Sequence, residues 1–446
     1  MAHAAGPAAD AAPALAWGIP FAGTILSIGL LPVLVPRLWH RHMAVVAAFW
    51  ILALLVPQAV LAGPAFAAHA AWHAVLLDYL PFVSLLLAMF TLGGGILVEG
   101  GPWGTPGGNT LLLAIGTMIS GVIGPIGTSM VLIHPLLRAN AHRRRKVHLV
   151  VFFIALVSNA GGAVTPLGNP PLYIGLLRGV PYAWPLLHLA LPLALLAAAL
   201  LLVFWLIDRH AAAGSPPPEP RGPLRLRGRV NLALLLLVVG AVLAQSVWRP
   251  GATALFGVSI GIERLAGIGV FLAVSLLSMA ITPAPLRTAN MFSWAPIAEV
   301  AKLFAAIFIT ITPVLAMLAA TTNGPLAPLL KFSADAQGHP SPLAYFWLTG
   351  TFSAFLDNAP TYLVFFDLAG GDPVRLTGAL SRTLQAISLG SVVFGALTYI
   401  GNAPNMMVRS VAAHRGLRMP GFFGYMAWSC ALLLPMFVAL TLLFFR

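Results

Sequence analysis

The sequence predicts an all-α polytopic membrane protein made of two inverted repeats of five transmembrane helices, each with a re-entrant hairpin and a discontinuous helix. Three observations predict it. Apolar runs of about 20 residues, the length a helix needs to cross a bilayer, recur along the whole chain of 446 residues. Their order is the same in both halves: three spans, an interrupted segment, a broken span and an unbroken span. The pattern T-x-x-G-N-x-P also falls inside the broken span of each half, from Thr165 to Pro171 and from Thr398 to Pro404.

In chain order, the first repeat (1–207) has spans at 15–35, 43–65 and 78–98, followed by a glycine-rich stretch at 100–108. The interrupted segment 111–137 is broken by Gly121, Gly124, Pro125 and Gly127. The broken span 148–177 and the unbroken span 184–207 complete the repeat. Residues 208–229 read as a cytoplasmic linker, because Pro216, Pro217, Pro218, Arg221, Arg225, Arg227 and Arg229 keep it out of the bilayer. The second repeat (230–446) has spans at 230–247, 265–281 and 296–320, the interrupted segment 343–366, the broken span 380–411 and a final span at 422–445.

Composition agrees. Hydrophobic residues make up 59% of the chain and charged residues 8%, too few to keep a soluble domain of this size dispersed. The net charge of +13 is gathered in short loops, where it sets orientation and meets lipid headgroups. The expected partner is therefore the lipid bilayer of the cell inner membrane, crossed many times, and not nucleic acid. The single cysteine, Cys430, lies in an apolar run and can form no internal disulfide. The Ala/Pro-rich stretch 1–16 has no Lys or Arg and lacks the basic start of a secretory signal, so the first apolar run is expected to be a retained helix.

Charge also predicts topology. Arg37 and Arg41, the cluster Arg138 and Arg143–Lys146, the linker, and the group Arg409, Arg415 and Arg418 share the cytoplasmic face only if each interrupted segment enters and leaves by one side. The interrupted segments are then hairpins, each half crosses five times, and the second half is inserted upside down. Inverted repeats with discontinuous helices are the build of secondary transporters, whose site lies near the bilayer midplane.

Bare backbone inside a membrane must be buried or line a polar cavity. The breaks concentrate polar residues: Ser158, Asn159, Thr165, Gly168 and Asn169 in the first, and Ser388, Ser391, Thr398, Gly401, Asn402 and Asn405 in the second. Their carbonyl, amide and hydroxyl oxygens suit sodium, and half-helix N-termini nearby can face an anion. Small polar residues also serve close helix packing. Asp357, in the tip of the second hairpin, is the most informative residue. A carboxylate at membrane depth marks an ion pathway or proton relay; it can bind sodium when ionised and a proton when not. A helix cap is the alternative role. Glu299 and Lys302, one turn apart, form an ion pair or take part in a relay. His134 reads as a packing residue, with a proton carrier as the alternative, and Arg178, Arg382 and Arg409 as loop anchors, with contact to an anionic substrate as the alternative. The chain has no Walker A sequence, metal-site spacing or nucleophile motif, so neither ATP drive nor catalysis is expected.

The run SNAGGAVTPLGNPP behind one hairpin, and FLDNAPT with TYIGNAPN in the second half, resemble the ion transporter superfamily over nearly the whole chain. The nearest resemblance is to its branch labelled "putative citrate transport", whose members are often called sodium:proton antiporters. The resemblance implies a scaffold and a mobile transport domain, an elevator motion, a homodimer, and sodium sites where each hairpin tip meets its broken helix. Carried over, one site would use Gly127, Thr128, Ser158, Asn159 and Asn169, and the other Asp357, Asn358, Thr361, Thr398 and Asn402. The oxygens of Asn159, Asn169, Asp357, Asn358 and Asn402 would hold the sodium. Dicarboxylate symporters of this superfamily carry a Ser-Asn-Thr triplet at both tips; neither tip has it here, and a negative Asp357 would repel a citrate. The expected function is sodium/proton antiport, with sodium ions and protons as coupling ions and no other cofactor. The alternative is sodium- or proton-coupled transport of citrate or another organic anion.

Overall fold

The computed structural model describes residues 14–216, 222–319, 324–334 and 338–446. The expectations placed on residues 1–13, Pro217, Pro218 and Arg221 lie outside the described residues.

The chain is mostly helical. Among the described residues, nine helices are long and apolar enough to cross a membrane, and a tenth is added if Ala295–Thr310 and Thr312–Leu318, bent by 43°, form one span. The outward sides of these helices expose Leu26, Leu61, Leu187, Leu276 and Leu443. Apolar surface on this scale suits lipid. The protein is a multi-pass membrane protein.

Helix Pro36–Ala62 ends at Gly63, whose φ of 95° turns the chain into Pro64–Ala74. The sequence left 66–77 between spans. The structure instead continues helix from Pro64–Ala74 through a π-turn at Val75–Tyr79 into Leu80–Gly94. The alanines of this stretch have the highest helix propensity, and no glycine or internal proline stops them.

Pro106–Ala139 is helical except at Gly124, where φ is 71° and ψ 158°. Gly116 and Leu132 sit on either side of that break. A Cβ on Gly116 would lie 2.9 Å from Leu132 Cδ1, whereas a straight helix would hold the two residues roughly 24 Å apart. The two arms therefore fold back on each other. In the second half Pro342–Leu356 and Asn358–Leu368 meet at Asp357, and the rings of Tyr345 and Phe365 from opposite arms stand 6.2 Å apart. Both broken spans unwind as expected. Val147–Leu156 leads through a 3-10 turn, Ala160–Val164, to Pro170–Leu177. Ser381–Val393 leads through Phe394–Leu397 to Ala403–His414.

Two features depart from the sequence expectation. Short antiparallel ladders join Leu97–Glu99 to Arg225–Arg227 and Ala252–Leu255 to Val258–Gly261. The arginine-rich linker is thus docked on the first half by strand pairing. The linker also starts later than residue 208, because helix Trp184–Ala212 carries Asp208 into the interior. There Asp208 pairs with Arg143, accepts from Asn109 Nδ2 at 3.0 Å and lies 2.8 Å from His148 Nε2. Asn109 and Asn140 exchange amide hydrogen bonds of 2.9 Å beside it. A buried carboxylate needs such partners, and these hold the foot of the first hairpin to the long helix.

Candidate functional site

In a membrane, carbonyls freed by an unwound hairpin tip need donors. Each broken span supplies one from the threonine of its T-x-x-G-N-x-P pattern. Thr165 Oγ1 donates to Gly121 O at 2.5 Å and accepts from Gly168 N at 3.1 Å. Thr398 Oγ1 donates to Ala354 O and accepts from Gly401 N at 3.0 Å. One constant numbering offset relates 121 to 354, 124 to 357, 165 to 398 and 168 to 401, so the same local chemistry is built twice. The glycine after each threonine is a steric requirement: a Cβ on Gly168 would meet Gly162 O at 2.2 Å, and one on Gly401 would meet Gly395 O at 2.6 Å.

The two breaks are bonded to each other. Asn402 Nδ2 donates to Ser158 O at 2.9 Å and to Asn159 Oδ1 at 3.2 Å. Asn159 Nδ2 donates to Asn405 Oδ1 at 2.9 Å, and Asn405 Nδ2 donates to Gly395 O at 2.8 Å and Thr398 O at 3.0 Å. Asn358 is satisfied with its Nδ2 donating to Gly401 O at 2.8 Å and Ser391 O at 3.0 Å. Ser158 Oγ lies 3.0 Å from Ser129 Oγ, and Thr361 Oγ1 donates back to Asp357 O at 2.8 Å.

Much of the expected ligand set therefore clamps backbone. Thr165, Thr398, Asn159, Asn358 and Asn405 use their polar atoms to hold the breaks and tips in place. Other groups remain open. Both amide atoms of Asn169 and the hydroxyl of Thr128 are buried without a hydrogen-bond partner among the described residues. Asp357 has φ 73° and ψ 151°, and its carboxylate is met by backbone N–H groups of the second arm, among them a long 3.5 Å bond from Ala359 N to Oδ1.

Asp357 lines two adjoining spaces and Asn169 the smaller of them, whereas Thr128 lines neither. A cavity of about 30 Å³ is lined by Gly124 and Gly127 of one tip, Asp357 of the other, and Asn169 and Asn402 of the two breaks. That volume holds a water-sized particle. A second cavity of about 410 Å³ shares Asp357 and Asn402 and reaches past Glu299 to Ser410 and His414, both exposed. Among the described residues, no Lys or Arg lines either space. Among the described residues, no group of three His, Cys, Asp or Glu is placed to hold a metal ion, so the oxygens available to a cation are those of Asp357 and of the uncharged amides, hydroxyls and carbonyls.

Other expected residues lie elsewhere. His134 sits between Asn290 O at 3.1 Å and the Arg415 guanidinium at 3.2 Å, a packing position. Arg178 faces Asp78 at 3.7 Å, and Arg409 lies over the Tyr399 ring at 4.5 Å. Sequence reasoning missed Ser410 and His414 at the mouth of the larger cavity. Their signal was position, on the half-helix that follows the second break.

A sequence model of a family described as "Putative citrate transport" matches residues 10–445. No curated protein matches the chain.

Proposed function

The chain belongs to the family described as "Putative citrate transport", and from that premise we propose that it is a secondary active carrier exchanging sodium ions for protons, with Asp357 as the group both ions share. Family membership makes the chain a membrane transporter; the choice of cations rests on Asp357. A non-glycine residue in its left-handed conformation is strained by about 1–3 kcal/mol, and glycine fills the equivalent point of the first tip. Capping alone does not call for a carboxylate, since an uncharged Asn or Ser caps a helix equally well. A carboxylate kept at a strained position at membrane depth fits an ion path. Sodium and a proton compete for it, so each ion's passage excludes the other's, and alternating exposure couples them.

The larger cavity supports cations as well. Its titratable lining residues are Glu299, Asp357 and His414, and among the described residues it offers no Lys or Arg to pair with the carboxylates of a citrate. Sodium would find oxygens on Asp357, Asn169 and Asn402, which line the smaller cavity, with Asn159 and Asn358 shaping the cage. Support for two re-entrant hairpins and an inverted second half comes from the basic loops. Arg143–Lys146, the end of Trp184–Ala212 and Gly416–Arg418 line one common cavity, as they should if all of them face the cytoplasm of a cell inner membrane. Elevator-type motion of the hairpins and broken helices within a homodimer completes this reading by resemblance.

The family description favours a second reading, coupled transport of citrate or a related anion. Proteoliposomes containing a pH dye separate the two. An imposed sodium gradient is expected to drive proton movement, abolished in Asp357→Asn, with no uptake of radiolabelled citrate. Exchange that persists in Asp357→Asn, or citrate uptake in place of proton movement, would overturn the antiport reading.

A further inference from the structure

We infer that a cavity at the basic end of the molecule is a binding site for the headgroup of an anionic phospholipid. Three segments distant in sequence enclose about 1050 Å³: the loop 143–148, the end of helix Trp184–Ala212, and the turn leading into helix Phe422–Phe444. The space is at the upper end of those that enclose whole organic ligands, ~300–1000 Å³, and far exceeds an inorganic anion.

Its chemistry has two sides. Arg144, Arg145, Lys146, His210 and Arg418 line it, and among the described residues no carboxylate does. Arg143 and His148 also reach it, but both are engaged by the buried Asp208. Among the described residues, Arg144, Arg145, Lys146 and Arg418 form no ion pair, and Lys146 makes one bond, to Ala141 O at 3.1 Å. Like charges gathered around one space repel unless an anion joins them. The remaining wall is apolar, with Leu206 and Trp428 exposed on helices that cross the membrane. A phosphate on the basic wall with acyl chains along Leu206 and Trp428 satisfies both sides, whereas a soluble anion would use only one. Basic pockets between membrane helices on the cytoplasmic side bind such headgroups.

The test is native mass spectrometry of the full-length protein released from detergent with added cardiolipin, phosphatidylglycerol or phosphatidylcholine. The wild type is expected to retain the two anionic lipids and not the neutral one. Each basic side chain near a lipid surface contributes a several-fold factor, so the triple variant Arg144→Gln/Arg145→Gln/Arg418→Gln should bind anionic lipid roughly a hundredfold more weakly. The charge-preserving set Arg144→Lys/Arg145→Lys/Arg418→Lys should retain it, as should Arg37→Gln/Arg41→Gln, whose side chains lie outside the cavity. The replaced side chains are exposed, so folding should persist. Equal retention by the triple glutamine variant, equal binding of phosphatidylcholine, or displacement of the lipid by millimolar inorganic phosphate would each overturn the inference.

Discussion

Asp357 holds the backbone conformation that Gly124 holds, φ 73° and ψ 151° against φ 71° and ψ 158°. The two hairpins thus turn through the same geometry, once with the residue that adopts it freely and once with a carboxylate that does not.

Replacing Asp357 by glycine should relieve that strain. Asp357→Gly is expected to keep or raise thermal stability in detergent, by about 1 kcal/mol, while abolishing sodium-driven proton movement. Gly124→Ala should lose about 1–3 kcal/mol. A melting temperature that falls by many degrees in Asp357→Gly would show that the carboxylate is there to hold the hairpin.

The paired threonines should behave alike. Thr165→Val and Thr398→Val each remove the donor to a tip carbonyl and the acceptor of a glycine N–H, at nearly constant shape. Each should destabilise by about 1–3 kcal/mol, measured by thermal melting. A loss confined to one of the two would break the equivalence of the tips.

Asp208 should matter through charge. Asp208→Asn leaves Arg143 buried and uncompensated, an effect of about 3–5 kcal/mol. Adding Arg143→Gln to it should recover part of the loss. If the single variant melts with the wild type, the ion pair is not buried in the membrane-embedded protein.

Topology is open to labelling in a Cys430→Ala background. Ser410→Cys, at the mouth of the larger cavity, should react with a membrane-impermeant maleimide from the cytoplasmic face. Val374→Cys, exposed after the second hairpin, should react from the opposite face, and Ala359→Cys, fully buried, should be protected. Labelling of Ser410→Cys and Val374→Cys from one side would contradict a crossing between them.

Much of the fold was legible because the bilayer restricts it so strongly. Apolar length marks the spans, and glycine with proline and polar residues marks where helices must break, as at Gly124 and at Thr165 and Thr398. The helix at 64–74 escaped notice because an alanine-rich helix and an alanine-rich connection look alike in hydropathy. Asp208 reads in the sequence as the start of a linker because its partners Asn109, Arg143 and His148 are distant in sequence, and only packing brings them together. The geometry around the candidate site was legible only in part. The T-x-x-G-N-x-P repeat marked where the two breaks lie, but a residue type does not reveal which of its lone pairs stay open. Thr165, Asn159, Asn358 and Asn405 turn out to hold backbone, while Asn169 and Thr128 keep unpartnered atoms.

By itself the sequence determined the membrane class, the order of spans and the positions of both breaks, because hydrophobic length and helix-breaking residues act locally. Tertiary structure decided which polar groups are consumed in holding the breaks, which face a shared cavity, and which charges neutralise one another. Those outcomes depend on the approach of segments from opposite halves of the chain, and in a medium without water every polar atom must find its partner among whatever neighbours that approach supplies.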